Sequence, residues 1–209
     1  MVRISEAIKD DHRKLESYYN IIVNSKDEDE QTRFQNQFTW ELARHAVAEE
    51  LVVFPALEKL RPEGKAKTDD DRREHSAASV TSFPRLIESN ADTVQLKEML
   101  AVFQDLNCSD PRFVPTITML MEGLAQHMQD EETKDLVILE ESLTSDESED
   151  LVESLNRTKI FVPSRSHSYG LEKPGYETAV GLLSAPLDHL QDLFRRWPEE
   201  ESMLSAPLE

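Results

Sequence analysis

The 209 residues carry 42 Asp and Glu against 23 Lys and Arg, and a formal net charge of -19 repels both nucleic acid and anionic membrane surfaces. With 38% hydrophobic and 31% charged residues but only five glycines, the composition excludes a turn-rich all-β domain and a disordered chain, and points to long solvated helices around one sizeable core. The single Cys108 excludes an internal disulfide framework and a thiolate metal site. No apolar run reaches the roughly 18 residues of a membrane span, and the N-terminus lacks a signal-peptide core, so a soluble, cytoplasmic protein is expected.

The first helix is expected from Ile4 to Val23, where Ile4, Ile8, Leu15, Tyr18, Tyr19 and Ile22 recur at spacings of three and four. His12 falls on that face, four after Ile8. An acidic connection, Asn24 to Glu30, leads to a second helix from about Glu30 to Leu60, with Phe34, Phe38, Leu42, His45, Glu49, Val52 or Val53, and Leu57 on one stripe. Pro55 should bend it near its end, because it cannot donate to the carbonyl of Leu51. Pro62 and Gly64 stop that helix. Thr68 and the run Asp69 to Asp71 cap a third, which reaches Ile87 and faces inward with His75, Ala78 or Ser79, Phe83 and Leu86. Pro84 is a candidate kink.

A short helical piece, Thr93 to Leu106, precedes a turn at Asn107 to Asp110, with Asp110 as cap and Pro111 as first residue of a fourth helix reaching Glu141. Phe113, Ile117, Leu120, Leu124, His127 and Glu131 lie close to one stripe of it. Thr144 and the acidic run behind it form a linker and cap for a short helix through Leu151, Val152, Leu155 and Ile160. Residues 161–176, with Pro163, Gly170, Pro174 and Gly175, read as an irregular loop. An amphipathic tail helix with Val180, Leu183, Leu187, Leu190, Leu193, Phe194 and Trp197 is expected to pack back on the rest. The division is therefore a helical bundle at 1–160 and a loop with an appended helix at 161–209.

Six candidates for chemistry face inward: His12, His45, Glu49, His75, His127 and Glu131. Singly, each has a structural explanation, a hydrogen-bonded core histidine or a solvated His/Glu pair. Jointly they do not, since buried imidazoles and carboxylates are costly unless paired or bound to metal. His45 to Glu49 and His127 to Glu131 repeat the same step of four, which places an imidazole and a carboxylate on one face one turn apart. Nitrogen and oxygen donors without thiolate suit iron or manganese better than structural zinc, and two-metal bundles draw such ligands from facing helices.

The ordered set His12, His45-x-x-x-Glu49, His75 and His127-x-x-x-Glu131, with the contexts Asp11-His12-Arg13 and Ala48-Glu49-Glu50-Leu51, resembles the hemerythrin-like proteins of the HHE cation-binding type over about residues 1–160. The resemblance implies an all-α, up-down-up-down four-helix bundle holding two non-haem Fe ions, with Glu49 and Glu131 bridging and the four histidines as terminal metal ligands. Manganese or a mixed metal pair stays open.

The oxygen-carrying members use a further histidine four residues from the third-helix ligand, where this chain has Asp71 and Ser79. Losing an imidazole opens a second position or substitutes a harder carboxylate. Asp71 is either that ligand or part of the helix cap. The function expected from this departure is O2 or peroxide activation, as an oxidoreductase on a small-molecule substrate or on peroxide itself. The alternatives are an O2, nitric oxide or iron sensor or store without turnover, and a purely structural bundle. Tyr18, Tyr19, Trp40 and Phe54 read as core packing before cavity lining, and Glu50 as solvent-facing. His167 reads as a surface residue before a lid, and Cys108 carries no chemistry. No nucleic-acid or membrane partner is expected, and the oligomeric state is left open.

Overall fold

The computed structural model describes residues 2–60, 95–165 and 185–199, and every regular element among them is helical. Helix α1 spans Ile4–Asn24. Its first donors are met by side chains from far along the chain: Ile4 N–H donates to Ser148 Oγ at 2.9 Å and Ser5 N–H to Glu140 Oε1 at 2.9 Å. Helix α2 covers Glu28–Ala48 and runs on through a π turn, Glu49–Val53, into Phe54–Leu60. Helix α3 is Gln95–Asp105, and α4 covers Phe113–Asp130, a second π turn, Glu131–Asp135, and Leu136–Ser142. Helix α5 is Ser145–Phe161, and a last helix, α6, occupies 185–192.

Two apolar layers organise these helices. The larger combines Leu15, Tyr18 and Ile22 of α1 with Phe34, Phe38 and Leu42 of α2, Leu100 and Phe103 of α3, and Phe113, Ile117, Leu120, Leu124 and Met128 of α4. Phe103 stacks tilted on Phe113 at 5.2 Å and edge-on to Phe38 at 6.1 Å. The smaller combines Ile4 and Ile8 with Ala48, Val53, Phe54 and Leu57, Leu136 and Leu139, and Leu155 of α5. Each fully buried Phe, Leu or Ile in these layers contributes about 1.5–3 kcal/mol through apolar area removed from water. Because α1 meets the smaller layer first and α2 and α4 meet the larger first, α1 runs antiparallel to both. Along their helices His12, His45 and Glu131 fall between residues of the two layers, with Glu49 at the edge of the smaller layer and His127 at the edge of the larger.

The stripes expected on the first, second and fourth helices hold, with Val53 rather than Val52 buried in the core, and several details differ. The connection before α2 shrinks to three residues, because Asp27 caps the helix by accepting from Asp29 N–H at 2.9 Å. Helix α4 begins at Phe113 rather than at Pro111. Asp110 Oδ1 accepts from Arg112 N–H at 2.8 Å, and the first residues after it close as turns. The acidic run at 145–150 is the opening of α5, not a linker. Thr144 N–H donates to Glu147 Oε2 at 2.8 Å while Glu147 N–H donates back to Thr144 Oγ1 at 3.3 Å.

The tail departs most from expectation. Helix α6 turns its polar side inward: His189 Nε2 lies 2.9 Å from the carbonyl of Val162, and Ser164 Oγ donates to Asp192 Oδ2 at 2.5 Å. Leu187, Leu190, Leu193 and Phe194 are consequently exposed, Phe194 at 85%. The following residues do meet the rest of the chain. Trp197 lies edge-on to Trp40 at 6.1 Å, and the carbonyls of Arg196 and Trp197 accept from Asn36 and Arg33 of α2. The helix expected at 69–87, with His75, Asp71 and Ser79, lies outside the described residues, as do Val180, Leu183 and His167. No helix among the described residues is long and apolar enough to cross a membrane.

Candidate metal centre

His12 comes from α1, His45 and Glu49 from α2, and Glu131 from α4; one donor atom of each lies within 4.8 Å of the others, and all four residues are buried. His45 Nε2 is 3.1 Å from Glu49 Oε1, and His12 Nε2 is 3.3 Å from Glu131 Oε2. His127, also buried, stands one turn before Glu131 with Nε2 at 3.9 Å from the same carboxylate oxygen. Five of the six residues singled out from the sequence therefore converge, four in one cluster and His127 joined to it through Glu131. The sixth, His75, lies outside the described residues.

The arrangement fits a cation on two grounds. Metal–nitrogen and metal–oxygen bonds of about 2.1 Å put neighbouring ligand atoms roughly 3 Å apart, which matches the His–Glu separations. His12 Nε2 and both Glu131 carboxylate oxygens are also buried without a hydrogen bond among the described residues, and a bound cation removes that cost.

The electrostatics point the same way. Burial pushes Glu49 well above the ordinary carboxylate range, and the charge of Glu131 beside it adds to the rise. Burial alone would raise Glu131 too, but the His12 ring against it and the His127 and His45 rings beyond pull it down to about 2. Burial lowers His45 to about 4, against the opposing pull of Asp11. Near neutral pH the metal-free site thus favours a neutral ring at His45 and an ionised carboxylate at Glu131, while Glu49 is biased towards its protonated form. Neutral imidazole and carboxylate are the forms that bind metal.

Each π turn begins at a glutamate of the cluster and closes in the same way. Phe54 N–H bonds to the carbonyl of Glu49, and Leu136 N–H to the carbonyl of Glu131. Pro55 follows the first turn only, so a proline is not their common cause. Single π turns inside α-helices recur at functional sites, where the extra residue lets the flanking stripes keep their facing. Here Ala48 and Phe54, on either side of the first, both reach the smaller apolar layer.

Partners missed by the sequence reading surround the histidines. Asp11 is buried, its Oδ2 is 3.4 Å from His45 Nδ1, and Lys159 of α5 contacts the same oxygen. His45 and Lys159 hold the Asp11 carboxyl far below its usual range although burial opposes them. Glu132 Oε1 lies 2.8 Å from His12 Nδ1 and pairs with Arg13. The available signal was spacing: Asp11 sits three after Ile8 and four before Leu15, and Lys159 four after Leu155. Glu132 also lines a surface cavity of about 240 Å³ with Lys9, Glu140 and Glu141. The aromatic candidates pack: Tyr18 against Phe34 at 5.8 Å, Phe54 in the smaller layer, and Trp40 beneath the guanidinium of Arg44 at 3.7 Å.

Residues 3–139 match the family described as the hemerythrin HHE cation-binding domain. The chain belongs to that family. It is also 44% identical, over 199 residues, to an uncharacterised hemerythrin-like protein of Schizosaccharomyces pombe, an alignment covering 95% of this chain and 89% of the relative. No solved structure matches it. Membership in the hemerythrin HHE family and the buried His/Glu cluster together support a non-haem, iron-binding protein.

Proposed function

We propose that the chain is a dinuclear non-haem iron protein that binds and activates O2 or peroxide, as an oxidoreductase acting on a small molecule or on peroxide itself. The observation that carries the reading is the buried cluster of His12, His45, Glu49 and Glu131 with His127 one turn away. His12, His45, His75, His127, Glu49 and Glu131 are the proposed ligands, with the two glutamates bridging. When bound, iron supplies one-electron redox chemistry and open coordination positions for a small exogenous ligand.

The residues of the chain supply the rest. Glu49 and Glu131 come from different helices and bring the negative charge that a pair of cations needs at that depth. Asp11 and Glu132, on the Nδ1 sides of His45 and His12, orient the rings so that Nε2 faces the cluster. The apolar layers on either side exclude bulk water, which strengthens every electrostatic interaction inside and keeps a reactive site from solvent. The expected absence of the extra third-helix histidine favours activation over storage.

Protein produced with iron is expected to hold at least one iron per chain, and His45→Ala and Glu131→Ala are expected to lose it. Fewer than about one iron per chain in the unmutated protein, with no loss in either variant, refutes the metal reading. Anaerobic reduction followed by O2 or peroxide then tests the chemistry. Rapid, irreversible oxidation or peroxide consumption is expected, whereas a stable reversible adduct makes the protein a binder or sensor.

A further inference from the structure

Both buried histidines of the cluster that meet a glutamate through Nε2 carry, on the opposite ring nitrogen, a carboxylate backed by a cation. For His12 the chain of contacts runs through Glu132 to Arg13, which neighbours His12 on α1 and is 44% exposed. For His45 it runs through Asp11 to Lys159, and there every member is buried, the lysine side chain at 9% exposure. Lys159 comes from α5, beyond the residues matched by the family domain.

A buried lysine is uncommon, because the ammonium must be paired to offset its lost hydration. Lys159 has two such partners, Asp11 Oδ2 and, at 3.5 Å, Glu41 Oε1. The division of labour on Asp11 is informative. Lys14, half-exposed, takes Oδ1 at 3.1 Å, while Lys159 and His45 share Oδ2. The backbone at Lys159 is tied to α2 as well, since Arg44 Nε donates to the carbonyl of Lys159 at 2.5 Å.

We propose that Lys159 is a positioning residue for the metal centre: from the helix that follows the family domain, it fixes the Asp11 carboxylate that holds the His45 ring with Nε2 turned towards Glu49. The inference rests on the reading of the cluster as a metal site. It assigns the segment after residue 139 a share in the centre's chemistry that the ligand set alone does not give it. A carboxylate bonded to Nδ1–H fixes the tautomer and raises the basicity of the ligating nitrogen, and such partners are typically worth about 10- to 100-fold in metal affinity. A cation on the same oxygen selects one carboxylate rotamer and so one ring orientation.

The test uses the full chain, Lys159→Met, Lys159→Arg and Leu155→Ala, with Co(II) as a spectroscopic probe and Fe(II) affinity read by competition with a chromophoric chelator. Lys159→Met is expected to weaken binding by about 10- to 100-fold and to shift the visible Co(II) bands, with Lys159→Arg restoring most of both. Leu155→Ala loosens the same helix without touching the chain of contacts, so it should lower the melting temperature but leave affinity and spectrum alone. If Lys159→Met folds poorly, Lys159→Met with Glu41→Gln keeps the buried charge balanced and carries the same expectation. Unmutated affinity and spectrum in Lys159→Met overturn the proposal while leaving the metal reading intact. So does a loss in Leu155→Ala equal to that in Lys159→Met, which makes helix docking the cause. An unmutated chain that takes up neither metal overturns both.

Discussion

The burial of neutral His45 should make the metal-free protein acid-sensitive in a defined window. Its pKa falls from the ordinary 6.5 to about 4, chiefly through burial. Above pH 6.5 the ring is neutral in both folded and unfolded chains, and the full contribution to stability is present. As pH falls from 6.5 towards 4, the unfolded chain takes up a proton that the folded chain refuses, so stability is lost. At about 1.4 kcal/mol per pH unit, the gap between 6.5 and about 4 amounts to roughly 3 kcal/mol, and full burial leaves no solvent screening to discount. Glu131 and Asp11, lowered by their neighbours, lose their contributions at the acid edge of this window and below it, and Glu49 changes in the opposite sense within it, so the comparison with His45→Gln is what isolates the His45 contribution. The assay is urea unfolding of metal-free protein at half-unit steps from pH 4 to 7.5, for the unmutated chain and for His45→Gln. The stability difference between them should shrink by roughly 3 kcal/mol across that interval as pH falls. A difference that stays constant across it refutes a buried neutral His45.

Glu49 should behave in the opposite sense. Its raised pKa means that the metal-free fold keeps a proton the unfolded chain gives up, so its contribution falls as pH rises above about 4.5. Metal-free Glu49→Gln should therefore gain on the unmutated protein from pH 5 to pH 8 in chemical denaturation while retaining less iron by elemental analysis; parallel pH profiles would contradict this. At the other end of the molecule, Ser148→Ala removes the acceptor for Ile4 N–H and the donor to Glu140. A cost of about 1–2 kcal/mol is expected in thermal unfolding, with faster amide exchange confined at first to the opening turn of α1.

The sequence made the apolar stripes and the inward-facing histidines legible because a period near 3.6 is a direct consequence of helix geometry, and Leu15, Phe38, Ile117 and Leu124 obey it. What it hid has physical reasons too. The π turns Glu49–Val53 and Glu131–Asp135 share only a leading Glu-Glu pair, and an extra residue within a helical turn leaves no mark in residue type. Asp11 and Lys159 occupy stripe positions, yet a charged side chain read alone belongs in water; only a partner 148 residues away reverses that. The leucines of the tail helix taken alone suggest an apolar face turned inward. Ser164 and the carbonyl of Val162 instead offered polar partners to Asp192 and His189, and those contacts decided which side faces inward.

The placement of the cluster between two apolar layers has a mechanical consequence. Three long helices cross from one layer to the other, and among the described residues the side chains that meet across them near mid-height include the ionisable His12, His45, Glu49 and Glu131. The two halves of the core are therefore coupled less by oil than by charge. A cation shared among α1, α2 and α4 would act as a rivet through the middle of the stack, and without it the two separately cohesive ends are joined by a seam of buried polar contacts. In such a molecule metal content governs how cooperatively the whole comes apart, as well as what the centre can react with.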